Sequence, residues 1–365
     1  MKTITDIFRT YGPEYVQCYS DSMPNEHHKV INTIINCRTQ SYGITVYECQ
    51  QCGQVHPIFR SCGNRHCPAC QNHKTRQWLE KQLKQQLPGH HFLITFTVPE
   101  TIRPFIRSNQ RLCYSALFKA SSEALKVLAA DEKHIGGDLP GFFGVLHTWG
   151  RQLQYHPHIH YIVPGGALSK NDATWHPSRI DFFVPIKPLS KIFRAKFIDE
   201  VKKAQMLEHI PSEAWQLDWN VNIQAIGSSE QSVKYLAPYV FKVAITNSRI
   251  VSVEDHVVTI RYKKGKSSRW RSTKLDVLEF IRRFLQHVLP TGFMKVRHYG
   301  FMSPSSSVTL AEISSRIELA YGFAVKTPES DIEPTKPLYC PCCGGKLEYK
   351  YSILPFQLCL LSDTG

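Results

Sequence analysis

His158 and His160 stand on either side of Ile159 in the run His156-Pro-His-Ile-His-Tyr-Ile-Val163. In a strand, successive side chains point to opposite faces, so the two imidazoles share one face while Ile159 packs behind them. Two neutral imidazoles on a rigid element are a ready pair of metal ligands, and the pair calls for a third donor. His147, on the preceding strand, is the first choice because an antiparallel neighbour can set it opposite the pair. His156 has the right parity but is followed by Pro157; Gln154 and Gln231 are further candidates. The competing reading is a set of polar side chains on a solvated face with no ion.

Cysteine spacing points to a second chemistry. Cys49-Gln-Gln-Cys52 and Cys67-Pro-Ala-Cys70 are C-x-x-C knuckles separated by 14 residues. Four thiolates close a tetrahedron around zinc, so the spacing predicts one structural site at Cys49, Cys52, Cys67 and Cys70. Cys37, Cys62, His56 and His66 lie close by in sequence and either hold a second ion or, for the cysteines, are ordinary buried thiols. Cys340-Pro-Cys-Cys343 is a further knuckle with no second half within reach. It either borrows ligands from elsewhere or is a remnant.

Two further groups could act on a polyanion. Tyr235-Leu-Ala-Pro-Tyr239 sets two phenols four residues apart, on one face if the segment is helical. Packing is the plainer reading of such a pair, and Pro238 costs a helix interior ~3 kcal/mol unless it kinks the helix or marks its first turn. Between Arg261 and Lys274 stand Lys263, Lys264, Lys266, Arg269 and Arg271 with no acid, and Tyr262 and Trp270 are interleaved. Aromatic rings can stack unpaired bases while cations follow phosphates. The alternative is a solvated basic loop.

The elements that must carry these residues follow from periodicity. Residues 1 to 73 read as irregular, and Lys74 to Gln86 as a polar helix. Strands are expected at His91–Val98, Phe142–Thr148, His158–Val163 and Trp219–Ala225, with a hairpin around Glu254-Asp255. Helices are expected at Arg103–Ala130, Leu189–Leu207, Ser228–Lys242 and Leu275–Val288, and linkers at Ser303–Ser307 and Pro328–Pro337. The fold class is α+β: a central antiparallel sheet with flanking helices and a small N-terminal zinc-binding domain. The boundaries read as 1–88 for the zinc head and connecting helix, 89–290 for the core, and 291–365 for a C-terminal region with the Cys-x-x-Cys tail.

Composition narrows the function classes. The 365 residues leave room for about two domains. Lys plus Arg number 44 against 30 Asp plus Glu, a formal charge of +14, which points to nucleic acid first and an anionic membrane surface second. No apolar run suits a membrane helix, and Asp6 and Arg9 stand where a secretory signal needs apolar residues. A cytoplasmic location is therefore expected. Seven of the twelve cysteines lie from Cys18 to Cys70 and three within Cys340–Cys343, a clustering that suits metal rather than a disulfide frame.

Taken in order, these features closely resemble the IS91 family of transposases, within the HUH class of single-strand endonucleases. The resemblance also rests on Asn36-Cys-Arg-Thr39, Ser61 to Cys70, Phe96-Thr-Val-Pro-Glu100, His147-Thr-Trp-Gly150, Lys234 to Tyr239 and His298-Tyr-Gly-Phe301, and it covers nearly the whole chain. It implies an HUH endonuclease-like core, a Mg or Mn ion at His158 and His160, and Tyr235 and Tyr239 as nucleophiles. The implied activity is nicking single-stranded element ends through a 5′-phosphotyrosine, then rejoining them in rolling-circle-like transposition, in a bacterial cytoplasm in association with the nucleoid. A replication initiator would use the same chemistry, and genomic setting would separate the two. A zinc-dependent DNA-binding regulator without activity would form no covalent adduct.

Overall fold

The computed structural model describes residues 3–83, 85, 87–171, 173–228, 244–264, 269–322 and 337–355. The N-terminal third contains α1 (Ile4–Tyr19), α2 (Asn25–Asn36), β1 (Ile44–Cys49), β2 (Val55–Phe59), α3 (Gln71–Leu83) and β3 (His90–Thr97). There follow α4 (Arg103–Ser108), α5 (Gln110–Ala130), β4 (Phe142–Trp149), β5 (Tyr155–Pro164), β6 (Gly166–Leu168), β7 (Trp175–Pro177), α6 (Ile186–Lys203) and β8 (Asn220–Ser228). The remainder holds β9 (Ile250–Glu254), β10 (Val257–Lys263), β11 (Trp270–Asp276), α7 (Val277–Leu285), β12 (Val296–Tyr299), α8 (Leu310–Tyr321) and β13 (Leu347–Ile353).

The chain forms two compact units, and neither is continuous in sequence. One comprises Met1–Lys74, Phe241–Val288 and Asp331–Gly365; the other comprises Thr75–Val240 and Leu289–Ser330. These units divide the chain differently from the expected boundaries 1–88, 89–290 and 291–365. The cause is long-range pairing: β13 lies antiparallel to β1, from Ile44↔Ile353 to Cys49↔Leu347, and Phe8 of α1 meets Phe284 of α7 edge-on at 5.0 Å.

In the first unit, residues read from sequence as irregular form two helices. A capping box between Thr3 and Asp6 starts α1. Ile4, Ile7, Phe8 and Tyr15 bury one of its faces, and Val30, Ile31 and Ile34 do the same for α2. The many Gln, Asn, His and Cys residues mask this period. β1 is the centre of a β13-β1-β2 sheet, and β9, β10 and β11 form a second three-stranded sheet.

The second unit holds a five-stranded sheet of order β12-β4-β5-β3-β8, antiparallel throughout. One face is apolar: Phe92, Ile94 and Phe96 of β3 and Ile159, Tyr161 and Val163 of β5 pack against α5 and α6. Burying such side chains contributes roughly 1.5–3 kcal/mol each. Gly144 of β4 lies opposite Tyr161, whose ring occupies the space a Cβ there would fill, 2.3 Å from Cε1. The pair thus secures the β4–β5 register and aims the alternate residues at the other face. Pro157 is accommodated where the β4–β5 ladder shifts register and before the β3–β5 pairing begins at Thr97↔His158.

Other expectations change in detail. Asn109 divides the helix expected at Arg103–Ala130 into α4 and α5, and Leu275 belongs to β11 rather than to the following helix. Ser303–Ser307 leads into α8, which the sequence reading missed. The helix expected at Ser228–Lys242 falls, beyond Ser228, outside the described residues.

Candidate metal centres

On the other face of the five-stranded sheet, His147, His158 and His160 have ring nitrogens within 4.8 Å of one another. Register explains the meeting. His147 of β4 lies directly opposite His158 of β5, and His160 is two residues further along the same face. His158 Nδ1 lies 2.7 Å from the His156 carbonyl, to which it can only donate. That tautomer leaves Nε2 as the lone-pair nitrogen. His160 Nδ1 lies 2.9 Å from Thr95 Oγ1 on β3, the kind of outer contact that orients a metal-binding imidazole. Trp149 stacks on His147 with ring centroids 4.9 Å apart.

Burial holds His158 well below the ordinary imidazole range, and the neighbouring His160 adds to the effect. Burial, then His156, pushes His160 down to about 4. Both rings are therefore neutral near pH 7, as coordination requires. His156 contributes its carbonyl to His158 and is not in the gathered trio. Gln154 instead turns back in the connection before β5, its Oε1 accepting from the Gln152 amide. Thr95 was missed from sequence; its signal was its place two residues before Thr97 on a strand bordering the histidines. Gln231, Tyr235 and Tyr239 lie outside the described residues.

The thiols divide differently from the expected single site. Cys67 and Cys70 gather with Cys37 and Cys62, whereas Cys49 and Cys52 gather with Cys340 and Cys343. The β1–β2 hairpin is the reason. Cys49 and Cys52 sit at its tip, while β2 carries the chain roughly 16 Å back to its base at ~3.3 Å per residue. Cys37 precedes the hairpin and Cys62 follows it, so both reach the second knuckle. Sγ–Sγ distances are 3.5 Å for Cys37–Cys70 and for Cys62–Cys70, close to the ~3.8 Å expected when four sulfurs sit ~2.3 Å from one zinc. His66 belongs to none of the gathered sets among the described residues; its Nε2 accepts from Arg65 Nε at 3.2 Å.

The basic segment forms the β10–β11 hairpin. Lys263 opposes Trp270, Arg261 opposes Ser272, and Thr259 opposes Lys274, which sets Arg261, Lys263, Trp270 and Lys274 on one face. Arg261 and Lys263 lie over the Trp270 ring at 4.8 and 5.0 Å. The opposite face carries Tyr262 and Arg271 and, further along, buried Val258, Ile260 and Leu275. Lys264 and Arg269 flank the connection, and Lys266 is outside the described residues.

Residues 141–308 match a family model described as "Putative transposase", and residues 7–98 match one described as "Transposase zinc-binding domain", of IS91 type. The first span holds all three gathered histidines, and the second holds Cys37, Cys62, Cys67 and Cys70. A Sinorhizobium fredii protein named "Putative transposase y4qJ" is 37% identical over 319 residues, covering 82% of this chain and 80% of that one. The transposase for insertion sequence element IS801 of Pseudomonas savastanoi pv. phaseolicola is 24% identical over 353 residues, 89% of this chain and 83% of its own. No solved structure matches the chain. Together with the antiparallel sheet and the four-cysteine cluster that suits a structural zinc, these matches establish that the chain belongs to the IS91 family of transposases and carries an N-terminal zinc-binding domain.

Proposed function

We propose that this transposase nicks and rejoins single-stranded DNA at element ends, with a divalent ion at His147, His158 and His160 and with Tyr235 and Tyr239 as nucleophiles. The observation that carries the reading is the gathering of three imidazoles on one face of a rigid sheet, two of them held neutral by burial. Three protein ligands leave coordination positions for the oxygens of a phosphodiester, and an ion such as Mg or Mn supplies charge neutralisation and orientation for in-line attack. Among the described residues no fourth Cys, His, Asp or Glu closes the set.

The chain's own residues carry the covalent step. A tyrosine phenolate oxygen attacks phosphorus, the new O–P bond forms, and the P–O3′ bond breaks. The 5′ end is then held as a phosphotyrosine, and the released 3′ oxygen takes up a proton. A phenolate also leaves readily enough for a 3′-hydroxyl to reverse the step, so strands can be rejoined without a nucleotide cofactor. Both tyrosines fall in the same matched span as the histidines. The solvent-facing Arg261, Lys263, Trp270 and Lys274 would follow the strand, cations on phosphates and indole on a base. No helix among the described residues is long and apolar enough to cross a membrane. A cytoplasmic, nucleoid-associated setting accords with the activity.

The test is incubation of purified protein with end-labelled single-stranded element ends and Mn, followed by a denaturing gel and peptide mapping. The expected result is an adduct on Tyr235 or Tyr239 that the double Tyr→Phe variant does not form. An adduct on neither residue would refute the mechanism.

A further inference from the structure

We infer that Cys49, Cys52, Cys340 and Cys343 form a second structural zinc site, which fastens the C-terminal hairpin to the N-terminal head. Cys49 and Cys52 lie within the zinc-binding span 7–98, but Cys340 and Cys343 lie outside both matched spans, 7–98 and 141–308, so neither match accounts for the complete set. The site does not depend on the strand-cutting reading.

The two knuckles are built alike although Cys340 comes 288 positions after Cys52. Each is a C-x-x-C-G turn in which the glycine amide returns to the first cysteine's carbonyl, at 3.0 Å for Gly53 to Cys49 and 2.9 Å for Gly344 to Cys340. Both glycines have positive φ, 68° and 75°, a conformation that costs a side chain but not glycine. Backbone amides also point at the sulfurs: Gln51 N–H donates to Cys49 Sγ, Cys342 N–H to Cys340 Sγ and Gly345 N–H to Cys343 Sγ, each at 3.4 Å. Such donors stabilise thiolate over thiol.

The halves meet at coordination spacing. Sγ–Sγ distances are 3.4 Å for Cys49–Cys343 and 3.8 Å for Cys52–Cys340, far longer than a disulfide's ~2.05 Å and near that of sulfurs sharing one zinc. His56 Nε2 lies 3.2 Å from Cys340 Sγ and can donate a further hydrogen bond to it. A Cβ on Gly345 would stand 2.9 Å from Cys49 Sγ, so the approach of the two turns has no room for a side chain. Among the described residues the apolar core here is Cys49, Cys340 and Leu347, with Tyr47 against them. The β13–β1 ladder joins the two segments, and with so small a core beside it a metal would fix the two turns against each other. Four sulfurs in a closed tetrahedral set select zinc over the oxygen-seeking ions.

Cysteine footprinting on the zinc-replete full-length protein tests the assignment, because exposure and ligation make opposite predictions. Cys52, Cys342 and Cys343 are all exposed, yet only Cys342 is outside the proposed set. Alkylation should modify Cys342 quickly and leave Cys52 and Cys343 protected by at least tenfold. That protection should vanish when prolonged treatment with a strong chelator strips the zinc. Metal analysis of the same preparation should give two zinc ions per chain and one in the Cys340→Ser/Cys343→Ser variant. The wild-type footprint stands even if that variant fails to fold. Cys343 reacting as fast as Cys342, one zinc per chain in wild type, or iron in place of the second zinc would overturn the proposal.

Discussion

The histidine trio and the thiol quartets are both gathered ligand sets, but different kinds of backbone hold them. His158 and His160 project from one strand and His147 from its neighbour, so the sheet ladder and the core behind it set their spacing. The cysteines stand on turns whose own hydrogen bonds are local; the β1–β13 ladder brings the Cys49 and Cys340 turns side by side, and a bound ion would fix the four sulfurs. Three nitrogens on a rigid sheet leave an ion accessible to substrate; four sulfurs on facing turns enclose it. The first arrangement suits an exchangeable, reactive ion and the second a permanent one.

The largest expected effect lies on the closed side. Binding free energy at a structural zinc is about 10–16 kcal/mol, comparable to a whole domain's stability. Cys67→Ser should therefore lose an ion and the cooperative thermal unfolding of the first unit, read by calorimetry and metal content. A folded variant with full zinc would show that Cys67 is a bystander. On the open side, His158→Ala or His160→Ala should lower adduct formation about a thousandfold, since a Lewis-acid ion supplies several kcal/mol to the transition state. Zinc content should not change; coupled loss of zinc would erase the contrast between the two regions.

Thr95→Val removes a partner of His160 without altering any of the three proposed ligands. Outer-shell losses of this kind weaken metal affinity about 10–100-fold, so Mn titration should show activity recovered at correspondingly higher Mn. An unshifted titration would place Thr95 outside the site. The smallest effect belongs to the basic hairpin. Arg261→Ala should reduce the salt slope of DNA binding by about one and leave nicking at saturating DNA intact. An unaltered slope would mean that this face is only solvated.

How far residues could be interpreted from sequence depended on how local their geometry is. His158 and His160 were legible because strand parity is local, and His147 because an antiparallel neighbour completes the same pattern. Thr95 was not, since its relation to His160 depends on the register of a third strand. The knuckles were legible as C-x-x-C turns, but the cysteines they meet were not. Pairing Cys49 and Cys52 with Cys67 and Cys70 ignores the hairpin that separates them, and pairing them with Cys340 and Cys343 requires β13 to return to β1. The central sheet and its helices followed from apolar periodicity, while α1 and α2 were hidden by polar composition.

The most direct measurement is a single chelation experiment that follows both regions at once. The protein is dialysed against dilute EDTA, then assayed for zinc content and for adduct formation on single-stranded element ends, before and after addition of Mn. Zinc should stay, adduct formation should stop, and Mn should restore it in wild type but not in the His158→Ala/His160→Ala variant. Adduct formation that survives dialysis in that double variant would contradict the assignment of the reaction to the histidine face.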